Sequence, residues 1–210
     1  MAKESLDAAQ IKEMLLQVAD RIIESEPILT DADRALGDGD HGTGMTRGLT
    51  AVKEKLDGLE APISKLFSSA GMAMISSMGG ASGAIFGTVF RDGGKALADQ
   101  ESFDAASYAT FLKAALEGVQ KRGGAKPGDK TMVDALHPAA EKAQEVAGES
   151  LSAAANAVAD AGEAGKDASK DMIATMGRAR TLGERSLGHP DAGAVSISII
   201  LATIRDYIDA

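Results

Sequence analysis

Apolar residues recur along this chain at helical intervals. Ile11, Leu15, Val18 and Ile22 open the series and predict a first helix. Asp7 is placed to cap it, Gln10 completes a capping box, and Leu6 and Ile11 form a hydrophobic staple. Pro27 is expected to end this helix, and a polar stretch runs on to Gly42 as a loop. A second helix is expected from Thr43 to Leu56, with Val52 and Leu56 on one face and Gly58 as its stop. Pro62 starts a third, running to Ser77 and apolar nearly all round. A glycine turn, Gly79 to Gly83, opens a fourth through Ile85, Phe86, Val89 and Phe90. A fifth spans Asp104 to Arg122, with Tyr108, Phe111, Leu112, Ala115 and Val119 facing inward. The sixth is expected from Thr131 to Gly148. An Ala-rich helical run from Leu151 to Ala161 is weakly broken at Gly162–Gly165, and a seventh helix resumes from Asp167 to Met176. Asp191 can cap a last helix, Ala192 to Ile208. The stretch VSISII within it has strand propensity, but Ala194, Leu201 and Ile204 continue the helical spacing and no partner strand exists. The pattern predicts about eight helices with short loops, in one all-α domain over residues 1–210.

Composition sharpens this picture. Aromatic residues are 3% of the chain and Trp is absent, while Ala, Gly, Leu and Met abound, which favours closely packed helices over a β-sandwich. There is no cysteine, hence no disulfide and no thiol chemistry. The net charge of −9 argues against nonspecific nucleic-acid binding, which needs a basic face. The N-terminus does not read as a signal peptide, and no run of 18 apolar residues suggests a membrane span. A cytoplasmic protein with no nucleic-acid or membrane partner is expected.

The candidate chemistry centres on Asp33 to Gly42, DRALGDGDHG. Asp33, Asp38 and Asp40 fall within eight positions, with only Arg34 as a nearby cation. Like charges at this density call for a counter-cation, and hard divalent cations such as Mg²⁺ take carboxylate oxygens together with substrate phosphates. Gly37, Gly39 and Gly42 let the backbone turn so that the carboxylates can converge. The alternative is an acidic solvated turn. GDGDHG formally fits the dinucleotide fingerprint, but the preceding TDADRAL is polar and turn-like where a strand is required. An EF-hand starting at Asp38 fails as well, with Thr43 at its sixth position and Leu49 at its twelfth.

Three further loops bear on this. Gly79-Gly80-Ala81-Ser82-Gly83 can form an anion nest at a helix start, or a plain helix–helix connection. Gly123 to Thr131 nearly matches a P-loop, but Asp129 separates Gly128 from Lys130-Thr131 and a helix precedes it where a P-loop follows a strand. Gly177 to His189 is irregular and basic, with Arg178, Arg180 and Arg185, which suits a phosphate-facing loop or surface charge balance.

Taken in order, LGDGDHGTGMTRG, SSMGGASG, RGGAKPGDKTM and GRARTLGERSLGHPDAGA resemble the signature segments of the L, or nucleotide-binding, subunit of dihydroxyacetone kinase, over about residues 7 to 208. The resemblance implies a barrel of eight antiparallel helices with a nucleotide, ADP or ATP, at one end. It implies two Mg²⁺ ions on Asp33, Asp38 and Asp40. It places nucleotide contacts at His41, Gly42, Thr43 and Gly44, at Ala81 and Ser82, at Gly123 and Met132, at Arg178, and at Asp191, Ala192 and Gly193. Some relatives have Asn at the position of Gly44 and Pro at that of Ala192, so nucleotide affinity can differ here.

The resemblance also implies half a kinase. No residue of this chain is assigned a catalytic role of its own, and the aspartates read as metal ligands rather than bases. A separate K subunit would hold the keto-sugar. In one route ADP stays bound and is rephosphorylated by a phosphotransferase-system subunit, and this is taken first. In the other, ATP exchanges as an ordinary substrate, and a related ketose such as erythrulose is an alternative acceptor. Outside this class stand a Mg²⁺-dependent phosphohydrolase, which lacks an evident water-activating base, a purely structural helical metal-binding protein, and a regulator-binding role.

Overall fold

The computed structural model describes residues 3–210. Helix α1 (Ala8–Glu24) begins as the sequence predicts: Asp7 Oδ1 accepts from Gln10 N–H at 2.9 Å, and Gln10 Oε1 accepts from Asp7 N–H at 2.9 Å. It does not simply end at Pro27. The chain turns at Ser25 and at once forms α2 (Glu26–Leu36), with Pro27 in its first turn. The TDADRAL stretch is therefore helix rather than turn. Its polarity reflects a helix that buries only Leu29 and Leu36.

After a short turn come α3 (His41–Leu56), α4 (Ile63–Ser77), α5 (Gly80–Lys95), α6 (Ala105–Gly123), α7 (Val133–Glu145), α8 (Leu151–Ala168) and α9 (Ala192–Asp209). Two expectations near residue 165 are corrected. Helix α8 runs unbroken through Gly162 and Gly165, and there is no helix from Asp167 to Met176. A 3₁₀ turn at Ser169–Asp171 and another at Ala179–Ser186 lie in the long connection to α9. Asp191 caps α9, accepting from Ala194 N–H at 2.8 Å. The VSISII stretch is helical, as expected.

Helices α1, α3, α4, α5, α6, α7, α8 and α9 each pack on the next, and α9 packs back on α1, which closes a barrel of eight. Helix α2 stays outside the ring, against α3 and α9. Neighbours run antiparallel. In the α4/α5 pair Gly71 meets Gly87 and Gly94 meets Phe67, and in α7/α8 Gly165 meets Asp134 while Gly162 meets Ala139. The small residues serve this closeness. A Cβ on Gly71 would lie 2.5 Å from the Gly87 carbonyl oxygen, and one on Gly87 would lie 2.5 Å from that of Gly71. One continuous apolar cluster drawn from all eight ring helices fills the interior. With neighbours antiparallel, one end of the barrel gathers the N-termini of α3, α5, α7 and α9, the C-termini of α4 and α6, and the last turn of α2.

Candidate functional site

At that end Asp33, Asp38 and Asp40 come together. One carboxylate oxygen from each lies within 4.8 Å of the other two. Asp33 projects from the last turn of α2 and is half-buried, while Asp38 and Asp40 are exposed on the turn that follows. Asp33 Oδ2 also accepts from His41 N–H at 3.2 Å, which ties the turn to the start of α3. The arginine that faces the group is Arg178, reaching in from the α8–α9 connection. Its guanidinium pairs with Asp38 and lies 3.9 Å from Asp40. Three hard anionic oxygens this close, with one guanidinium opposite, are a donor set suited to Mg²⁺.

The aspartates form one wall of a cleft of about 600 Å³. Opposite them lies the glycine turn, where Gly79 and Gly80 have φ of +73° and +61°, a backbone form that glycine adopts without strain. No side chain caps α5. Its first N–H groups, at Gly80, Ala81 and Ser82, are free to meet an anion. His41, Gly44, Arg178, Asp191 and Ala192 complete the positions named from sequence that line this cleft. A Cβ on Gly44 would meet nothing within 4 Å, so the glycine leaves space there. An apolar slot of about 420 Å³ adjoins the cleft, sharing Ala81, Thr131 and Met176 with it, and is walled by Ile85, Val119, Gly123 and Met132. Gly123 and Met132 thus face the slot and not the acidic mouth.

Some predicted residues sit differently. The His41 side chain is buried, with Nε2 2.8 Å from Ser196 Oγ on α9 and its ring 5.6 Å from that of Phe86. Burial holds its pKa below the ordinary histidine value, with the Asp33 charge opposing. Gly42 faces away from the cleft. A Cβ there would lie 2.5 Å from the Glu26 carbonyl oxygen and would also strike Thr30, so its smallness lets α2 dock on α3. Thr43 Oγ1 donates to Glu26 Oε1 at 3.4 Å, and Gly193 packs on Met132. Gly42 and Thr43 can serve a ligand through the backbone N–H groups of the α3 N-terminus.

Two buried charged residues escaped the sequence reading. Lys130 lines the cleft yet is 2% exposed, and its ammonium donates to the carbonyls of Ser169 (2.6 Å) and His189 (2.7 Å). Asp134 is buried and accepts from Gly128 N–H (2.5 Å) and Thr131 N–H (2.7 Å), shaping the loop ahead of α7. The near-P-loop pattern marked this segment, but its partners lie far along the chain.

Burial of its carboxyl pushes Asp191 up to about 7. Asp134 adds to the rise, and the N–H groups of Ala194 and Gly193, with Lys130, oppose it. A carboxyl whose folded pKa lies above its unfolded value stabilises the fold at low pH, and that contribution is lost as pH rises through about 7. Asp191→Asn keeps an acceptor at the helix cap and removes the charge. The stability advantage of the variant over the wild type is expected to widen from pH 5 to pH 8, as chemical denaturation at each pH would measure. A constant difference would exclude this ionisation.

An all-α barrel whose helix ends gather three carboxylates, an arginine and a glycine turn around one cleft is the class of protein defined here. Residues 35–206 match the family model of the DAK2 domain, and the chain belongs to that family. The ADP-binding subunit DhaL of PEP-dependent dihydroxyacetone kinase 1 from Listeria innocua is 41% identical over 182 residues, covering 86% of this chain and 87% of that one. The DhaL subunit of the PEP-dependent kinase of Escherichia coli is 36% identical, covering 94% and 95%. The crystal structure of the dihydroxyacetone kinase from C. freundii in complex with AMP-PNP and Mg²⁺ matches 97% of this chain with a TM-score of 0.73 at 23% identity. The match covers 35% of that enzyme's chain, and it confirms the fold. Among the described residues no helix is long and apolar enough to cross a membrane.

Proposed function

We propose that this chain is the nucleotide-holding subunit of a dihydroxyacetone kinase, passing a phosphoryl group from a bound nucleotide to a keto-sugar held on a separate K subunit in the cytoplasm. The observation that carries this reading is the junction of two unlike spaces: an acidic mouth with three carboxylates within 4.8 Å, opening into an apolar slot. A nucleoside phosphate has the same two-part character. Relatives matched over most of their own length are named as ADP-binding subunits, which supports the same reading.

Asp33, Asp38 and Asp40 would hold two Mg²⁺ ions, which when bound supply charge neutralisation for the phosphates. The other roles fall to the chain itself. The free N–H groups of the glycine turn bind phosphate oxygens, and Arg178 balances charge as the phosphoryl group departs. Ile85, Val119 and Met132 shelter the base from water. The acceptor hydroxyl must lose a proton, and the imidazole in this cleft is committed to Ser196 and buried against Phe86. The base therefore belongs to the K subunit, so this chain turns over only when docked. ADP is retained and rephosphorylated in place by a phosphotransferase-system donor.

Denaturing the purified protein and chromatographing what is released tests this, together with melting in the presence and absence of EDTA. Stoichiometric ADP and a lower Tm on chelation are the expected results, since a ligand bound only to the native state raises its stability. No bound nucleotide but stabilisation by added Mg²⁺-ATP would replace the ADP-retaining route with the ATP-exchanging one. No response to either would overturn the nucleotide site.

A further inference from the structure

We infer that Lys130 is a positioning residue: its ammonium ties together the two ends of the strap from Ser169 to Asp191 and thereby holds Arg178, near the middle of that strap, against the Asp38–Asp40 pair. The Arg178 half of this inference rests on the nucleotide-subunit reading, while the strap half stands without it.

The strap has little core of its own. From Lys170 to Pro190 only Ala174 and Ser186 are buried. Its shape is set by hydrogen bonds at its base. One ammonium takes the carbonyls of both Ser169 and His189, residues at opposite ends of the strap. Beside them Gly188 N–H donates to the Lys170 carbonyl at 2.8 Å, and Asp191 N–H donates to Ser169 Oγ at 3.0 Å. Further out, Ala174 N–H donates to Ser186 Oγ at 3.0 Å. The loop before α7 grips the strap a second time through Asp129, whose Oδ1 accepts from Thr175 Oγ1 at 2.5 Å and whose carbonyl accepts from Thr175 N–H at 3.2 Å.

Lys130 is built for this inward reach. Its φ is +59°, and no other non-glycine residue among those described has a positive φ. A side chain held in that conformation needs surroundings that enforce it. Asp134 supplies them by fixing the N–H groups of Gly128 and Thr131 on either side. Burial lowers the Lys130 pKa, and the neighbouring carboxylates of Asp191, Asp134 and Asp171 oppose that fall and favour an ammonium at 2% exposure. A P-loop lysine reaches out to phosphate. This one donates to backbone carbonyls, and Arg178 is what the strap delivers to the cleft.

The test compares the wild type with Lys130→Met, Arg178→Ala and the double variant. Trypsin cleavage after Arg178, Arg180 and Arg185 is followed by mass spectrometry on protein stripped of metal and nucleotide, and Mg²⁺-ADP affinity is measured by calorimetry. Lys130→Met is expected to speed cleavage in the strap about tenfold or more while the barrel stays intact, because charge-assisted bonds at its base are lost. Its affinity loss is expected to approach that of Arg178→Ala, and the double variant to bind no more weakly than Arg178→Ala alone. Unchanged cleavage would overturn the strap tie. Additive affinity losses would make Lys130 a direct phosphate ligand and overturn the positioning role. If Lys130→Met does not fold by circular dichroism, Lys130→Gln, which keeps a donor, is put through the same comparisons. A wild type that binds no Mg²⁺-ADP would overturn the nucleotide reading and the Arg178 half, with cleavage still deciding the tie.

Discussion

Replacing Asp38 by Asn is expected to abolish retention of Mg²⁺-nucleotide while leaving the metal-free protein about as stable as the wild type. The two effects separate because Asp38 has no structural partner beyond Arg178. Both side chains are exposed, and an exposed ion pair contributes roughly 0–1 kcal/mol. Against that small loss stands relief of repulsion among three carboxylates within 4.8 Å of one another. Each such pair amounts to about 1 kcal/mol at 4 Å in a water-like dielectric. The terms are of similar size and opposite sign, so the Tm of the stripped protein should barely move. Ligand binding has no such cancellation, since an amide oxygen is neutral and a hard cation loses an anionic donor. Even outer-shell changes around metal sites lower affinity by about 10–100-fold, so loss of a ligand should exceed about 100-fold. The Tm rise on adding Mg²⁺-ADP should vanish with it. Asp33→Asn is a less clean probe because Asp33 also receives the His41 N–H. Nucleotide retained at the wild-type level by Asp38→Asn would refute the metal role of this cluster.

What could be read from sequence was what acts locally. Capping at Asp7 and Asp191 is local, and both caps are present. The apolar spacing of the barrel helices was legible because each buries a broad face in one shared interior. Helix α2 was not, because it lies outside the ring and shows only Leu29 and Leu36 to the core, too few to set a period. The crowding of Asp33, Asp38 and Asp40 fitted a cation site or an acidic solvated turn equally, and the structure brings the three together. Lys130 was harder: its acceptors lie 39 and 59 residues away, a distance no local pattern encodes. The resemblance pointed to His41 and Gly42, and the structure gives each a packing role as well. One is locked to α9 through Ser196, the other makes room for α2.

Gly165→Ala is the sharpest trial of where local reading fails. If Gly162 and Gly165 loosened α8, alanine would tighten it, gaining about 1 kcal/mol of helix propensity. In the folded barrel α8 is unbroken, and Gly165 is buried against α7. A Cβ there would strike the Asp134 carbonyl oxygen, with Pro138 Cγ at 2.8 Å and Ala135 Cα at 3.0 Å. Two of these neighbours are backbone atoms of a packed helix, which cannot swing aside as the end of a flexible side chain can. Forcing extra volume into such a contact costs about 1–3 kcal/mol and more where backbone must shift. The expected net result is destabilisation of about 2 kcal/mol, read from denaturant unfolding. The damage should also reach the site. Asp134 holds the loop that carries Lys130 and adjoins Met132, so displacing the start of α7 loosens both the base of the strap and a wall of the apolar slot. Nucleotide affinity should fall together with stability, whereas Asp38→Asn separates the two. A stabilised Gly165→Ala protein would mean that α7 and α8 do not approach this closely.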